Sequence, residues 1–279
     1  MRDIERQATD ASLHRLGRHS VAIVNSIRTV GHDPITGKRA DTEEPGSGCT
    51  LRWGAHYFVL TAAHVVEKAQ PADIRVFCPP PDMKFRSSSS LEPQDILDAV
   101  PLKDEHAVIH RCAWEDLAIL TIRADAVRNA EFFDALNEWR DPALGEELHC
   151  CGFPSDNCLT VDRKIVGNKE ERAIALYTTV FSSNVLPLPT PDELKFKITD
   201  FDPDRHFLIP YDDAARGKHP RGISGAAMWW ESDQKQTVWR PNFKFAGICT
   251  ACYKRGSVVQ VVKASVVRRF LEEVFGPGR

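Results

Sequence analysis

Ser224 stands between two glycines in the stretch Pro220-Arg221-Gly222-Ile223-Ser224-Gly225-Ala226-Ala227. Such a backbone can turn sharply and present the serine hydroxyl beside the amide N–H groups of its own turn. A nucleophile and the donors for a developing oxyanion are made together in that way. A serine hydroxyl in a tight turn needs no chemistry at all, so the stretch alone leaves both readings open. Two further residues supply what a hydroxyl lacks. His64 ends the run Thr61-Ala62-Ala63-His64, and Asp116 directly precedes Leu117-Ala118-Ile119-Leu120. A hydroxyl is too weakly acidic to attack a carbonyl unaided; an imidazole takes its proton, and a carboxylate holds that imidazole in one tautomer. Taken singly, His64 also reads as a core histidine and Asp116 as a cap or turn residue. The chain order His, Asp, Ser is not that of the α/β-hydrolases, and Ala226 breaks their Gly-x-Ser-x-Gly elbow.

Positioning three such groups requires rigid elements, and the sequence offers mainly strands. His19 to Val24, Cys49 to Trp53 and Tyr57 to Leu60 read as strands, the last two joined by Gly54-Ala55-His56. Asp73 to Cys78, Ala107 to Ile109 and Leu117 to Ile122 follow, the last so apolar that burial on both faces is expected. The second half carries Glu147 to Gly152, Ala173 to Val180, Ala226 to Trp230, Phe245 to Cys249 and Val258 to Val262. Gly31 to Gly48 reads as a long polar loop, residues 79 to 104 as an exposed excursion, and residues 124 to 142 as an irregular or helical connector. Ala264 to Val274 has the spacing of an amphipathic closing helix, ended by Gly276-Pro277-Gly278.

Many short strands in two halves predict an all-β protein of two six-stranded antiparallel Greek-key β-barrels with a C-terminal helix. We expect a helical N-terminal extension over residues 1–18 and a first barrel over 19–123 bearing His64 and Asp116. A connector over 124–143, a second barrel over 144–263 bearing Ser224, and a closing helix and tail over 264–279 complete the division.

The 279 residues are 42% hydrophobic and 27% charged, with a formal net charge of −3. No basic excess suggests nucleic acid, no apolar run reaches the length of a membrane span, and the N-terminus is charged from its second residue. With no export signal, the eight cysteines are expected to be reduced thiols, and the protein to be cytoplasmic. Cys249-Thr250-Ala251-Cys252 has zinc-like spacing, but a single C-x-x-C on a strand is read here as two strand thiols; no metal and no cofactor are expected.

The chain resembles the chymotrypsin/trypsin-like serine peptidases, particularly their intracellular bacterial relatives, over most of residues 19 to 275. The resemblance is carried by Gly46-Ser47-Gly48, Leu60-Thr61-Ala62-Ala63-His64, Asp116-Leu117-Ala118-Ile119-Leu120, Gly152-Phe153-Pro154, Gly222-Ile223-Ser224-Gly225 and Gly247-Ile248. It implies Ser224 as nucleophile, His64 as general base and then acid, and Asp116 as the orienting carboxylate. The backbone N–H groups of Gly222 and Ser224 would form the oxyanion hole. Thr250 would support the aspartate, and Thr250, Ala251 and Cys252 would form the strand along which substrate pairs. Family members activated by N-terminal trimming carry an aspartate where this chain has Ile223, so its pocket is expected to be ordered by other contacts, intrinsic or from a partner. Val65 stands where secreted relatives often carry a disulfide cysteine.

Specificity is open: Lys218 and His219 lie in the loop before the nucleophile, with Gly256 and Ser257 at the expected far wall, and no aspartate is placed at the pocket base. The resulting expectation is a serine endopeptidase acting on a protein or peptide, in limited processing of a specific intracellular protein, with a protein partner as substrate or activator. Two rivals use the same residues: a non-catalytic or partner-activated pseudo-peptidase, and a serine esterase.

Overall fold

Successive side chains on a strand point to opposite faces, so a strand apolar at every position can serve two cores at once. A computed structural model describes residues 15–32, 39–67, 69, 74–77, 99–101, 109–122, 131–153, 158–166, 169–176, 179–196, 198, 200–211, 222–231, 243–253 and 257–278. The first half holds β1 (Ser20–His32), β2 (Arg39–Trp53), β3 (His56–Ala62), β4 (Ile74–Phe77), β5 (Ala99–Pro101), β6 (Ile109–Cys112), β7 (Leu117–Thr121) and the two-residue β8 (Phe133–Asp134). The second half holds β9 (Glu147–Gly152), β10 (Cys158–Val166), β11 (Lys169–Leu176), β12 (Thr179–Asn184), β13 (His206–Pro210), β14 (Ala227–Glu231), β15 (Phe243–Tyr253) and β16 (Val258–Lys263). A helix, Ala264–Phe275, follows directly.

The first sheet runs β4-β1-β2-β3-β7-β6, with β5 added beside β4 and β8 beside β2. The second runs β12-β9-β14-β15-β16-β13, and its two ends meet where the Leu186 N–H donates to the Leu208 carbonyl at 2.8 Å. All the described strand ladders are antiparallel except the short pairing of β8 with β2.

β7 shows the double use expected of it. Ala118 and Leu120 join Val21, Ile23, Val59 and Val76 inside the first barrel. Leu117 and Ile119 face the other way, into a second cluster shared with Phe58, Leu60, Trp229 and Phe245. The C-terminal helix adds Val266, Val267, Phe270 and Leu271 to that shared cluster. The second barrel has its own filling, which includes Leu148, Met228, Ala246, Val261 and Ile223.

Several expectations change. Gly31 to Gly48 is not a polar loop where it is described: residues 39–48 belong to β2 and pair with β1, from Arg39 opposite His32 to Gly48 opposite Val21. Backbone hydrogen bonding along a long hairpin makes this strand, so side-chain alternation gave no sign of it. The stretch Ala173 to Val180 is divided between β11 and β12, and the hairpin β10–β11, rich in charged residues, pairs through its backbone in the same way. The helix expected near the N-terminus is seen at residues 15–17, with Leu16 buried; residues 1–14 lie outside the described part, as do 79–98 and 102–104 of the expected excursion. His56 is not in the turn but opens β3 opposite Trp53, its ring stacked on Phe275.

Candidate active site

His64 sits on a single 3-10 turn, Ala63–Val66, that directly follows β3. β3 pairs with β7 through Ala62 and Leu117, so the end of one strand lies beside the start of the other. Asp116 occupies the last position before β7, at the end of the four-residue turn that joins it to β6. Its φ of +50° is left-handed, a conformation that aspartate tolerates better than most side chains. The Ala63 N–H donates to the Asp116 carbonyl at 2.9 Å, which locks the two turns together.

One carboxylate then holds the histidine twice. Asp116 Oδ1 accepts the His64 backbone N–H at 3.0 Å, and Oδ2 lies 2.7 Å from His64 Nδ1. An ionised carboxylate only accepts, so Nδ1 carries the proton and Nε2 is left with its lone pair. Both side chains stay accessible, at 47% and 34% of their surface.

Ser224 lies in the turn before β14, a turn anchored from both barrels. Its carbonyl accepts the Ser47 N–H at 2.8 Å, the Gly225 N–H donates to the Cys249 carbonyl at 2.7 Å, and the Ala226 N–H returns to the Ile223 carbonyl at 2.8 Å. Gly222 and Gly225 have φ of +92° and +90°, values that favour glycine. A Cβ at Gly225 would overlap the Ser47 carbonyl and the Thr61 hydroxyl, so glycine alone lets the turn come this close to the first barrel. Neither the Gly222 N–H nor the Ser224 N–H has a hydrogen-bond partner among the described residues.

No family model matches the chain, and no curated protein matches its sequence. Solved structures do. The scabies mite inactivated protease paralogue S-I1 superposes with a TM-score of 0.52 at 16% identity, over 94% of this chain and 96% of that one. The paralogue S-D1, also from the scabies mite, gives 0.53 at 12% identity over 94% of each chain. The Rv3671c protease of M. tuberculosis, in its active form, gives 0.52 at 16% identity over 96% of this chain and 86% of that one. The chain has the chymotrypsin-like double β-barrel fold.

In the chymotrypsin-like frame, the first barrel brings His64 and Asp116 together, and the second presents Ser224 on a turn bound to Ser47 of the first. The rest of the expected site divides. Thr250, Ala251 and Cys252 run along β15, with Thr250 buried, Ala251 half-buried and Cys252 exposed. The Thr250 hydroxyl was expected to support Asp116; instead it is buried with no hydrogen-bond partner among the described residues. A one-residue shift of register between Cys249 and Ala251 falls at this point of β15. Cys249 lies in the barrel core and Cys252 at the surface, so the two thiols of the C-x-x-C face different environments. Lys218, His219 and Gly256 lie outside the described residues; Ser257 is exposed.

Ile223 is 2% exposed and packs in the second barrel's core, where it anchors the turn by apolar contact. Val65 fills the space over Gly46, where a Cβ would overlap it. Two participants went unrecognised in the sequence. Ser47, itself flanked by glycines, is the hub between the two barrels. Arg205, in the turn before β13, places Nη1 3.4 Å from the Trp114 carbonyl and 3.5 Å from Glu115 Oε2, while Nε donates to Asp202 at 2.7 Å. It braces the Asp116 turn from the second barrel, and no sequence pattern announces so distant a contact.

Proposed function

We propose that the chain is a serine endopeptidase in which Ser224 is the nucleophile, His64 the general base and then acid, and Asp116 the carboxylate that orients it. The observation that carries this reading is the double grip of Asp116 on His64, which leaves Nε2 as the proton acceptor. In the proposed reaction Nε2 takes the Ser224 hydroxyl proton as the oxygen attacks the peptide carbonyl. The N–H groups of Gly222 and Ser224, which have no partner among the described residues, receive the oxyanion. The imidazolium then gives its proton to the leaving amine, and water, activated in turn by His64, releases the acyl group.

Substrate backbone would pair along β15 at Thr250, Ala251 and Cys252. Limited processing of a specific protein inside the cell is part of the proposal. It fits the chemistry of a reducing compartment that none of the described cysteines is bridged, while burial pushes the Cys151 thiol up to about 12 and keeps it protonated. The test is turnover of a peptide amide beside its matched ester. The proposal expects hydrolysis of both, lowered roughly 10⁴-fold or more in Ser224→Ala. Ester turnover without amide turnover would make the protein an esterase instead.

A further inference from the structure

Ser47 has no exposed surface and lies on β2 of the first barrel, yet it binds the second barrel from both its backbone and its side chain. Its N–H donates to the Ser224 carbonyl at 2.8 Å, and its hydroxyl donates to the Gly222 carbonyl at 2.7 Å. The same hydroxyl oxygen accepts the Phe153 N–H at 2.9 Å. Its carbonyl accepts the Thr61 hydroxyl at 2.6 Å, three residues before His64 on the same strand and turn. A buried hydroxyl must find partners to offset its lost hydration, and this one finds them on the segment that presents Ser224.

Direction matters as much as number. Both carbonyls, of Gly222 and of Ser224, are drawn to Ser47 on one side of the turn. The N–H groups of the same two residues have no partner among the described residues and are left for a ligand. Gly222, at φ +92°, has no side chain to restrain its peptide, so a rotation there would swing a carbonyl toward the oxyanion position. With isoleucine at position 223 in the core, no charged pair built on that residue is available to order the segment.

We infer that Ser47 is a positioning residue of this site: its hydroxyl fixes the Gly222 carbonyl and so keeps the two N–H groups aimed at the oxyanion. The inference rests on Ser224 being the nucleophile. Loss of the hydroxyl then weakens stabilisation of the transition state while ground-state binding and the ionisation of His64 are untouched.

The experiment compares wild type, Ser47→Ala and Ser47→Thr on one peptide amide, with kcat and KM measured separately, the pH profile recorded, and the folded fraction followed by circular dichroism. Expected are a kcat at least tenfold lower in Ser47→Ala, an unchanged KM, an unchanged acid limb, and recovery of most of the rate in Ser47→Thr, which keeps the hydroxyl. If Ser47→Ala does not fold, Ser47→Cys, close in shape but a weaker donor, is judged by the same measures. A folded variant lacking the hydroxyl with kcat within twofold of wild type would overturn the inference. So would a loss confined to KM, a loss that follows the folded fraction, or a Ser47→Thr variant as impaired as Ser47→Ala. Wild type inert toward amide and ester alike would instead defeat the peptidase reading on which the inference rests.

Discussion

Asp116 offers a test that leaves the backbone alone, because asparagine accepts a left-handed φ of +50° as readily as aspartate does. Asp116→Asn keeps an acceptor for the His64 N–H but removes the charge that fixes Nδ1 as the protonated nitrogen. We expect kcat to fall about 10⁴-fold with little change in thermal stability, read by steady-state kinetics and calorimetry on one preparation. Away from the site, His206 is buried at 5% exposure, and its Nδ1 accepts the Asp202 N–H at 3.1 Å. Burial pushes it down to about 4 from an ordinary 6.5, with the neighbouring Arg205 acting in the same direction. The unfolded chain takes up this proton near pH 6.5 and the folded protein only near pH 4. Stability held above pH 6.5 is therefore lost as pH falls through that window, by up to about 1.4 kcal/mol per pH unit for this one proton. Urea unfolding at pH 7 and pH 5 should show His206→Gln losing less stability than wild type. His19, also lowered by burial, leaves a residual slope in both. Equal losses in the two proteins would show that His206 is not the neutral group described.

At the scale of elements, the C-terminal helix shows what a sequence reveals readily. Val266, Val267, Phe270 and Leu271 fall at helical spacing, and all four are buried in the cluster that also holds Trp53 and Trp229. The helix is fastened further by the Arg268 guanidinium, 4.7 Å from the centre of the Trp139 ring, and by the Trp53 indole N–H, which donates to the Gly276 carbonyl at 3.1 Å. Truncating Phe270 leaves a cavity beneath both barrels. Phe270→Ala should cost about 3–5 kcal/mol, with Tm falling by roughly 2–4 °C for each kcal/mol, as calorimetry would show. A fall of only a degree or so would mean that the helix is peripheral. The hairpins show the opposite case. β10 holds Asp162, Arg163 and Lys164, and β11 opens on Lys169, Glu170, Glu171 and Arg172, so neither β10 nor the first half of β11 has the alternation by which a strand is recognised. Their pairing is a property of the backbone and of the partner strand, which a reading of local pattern does not contain.

For the molecule as a whole, the two-barrel fold and the candidate residues His64, Asp116 and Ser224 were legible because each depends on short local patterns. A polar residue at the end of an apolar strand and a serine between glycines are visible in sequence. What ties them together was not. Ser47 and Arg205 each bind residues far away in the chain and on the opposite barrel, and their value arises only when two separately formed barrels meet. Thr250 shows the converse, a residue expected to support Asp116 whose hydroxyl has no hydrogen-bond partner among the described residues. The shared apolar cluster joins the barrels, and the hydrogen bonds through Ser47 tie the serine turn to β2 and to Thr61 of β3. The measurement that tests this account most directly is reaction of the purified protein with a fluorophosphonate, the adduct being located by peptide mass mapping in wild type, Ser224→Ala and His64→Ala. One adduct per chain is expected, on Ser224, formed at a rate that collapses in both variants. No adduct in folded wild type, or an equal rate without His64, would contradict it.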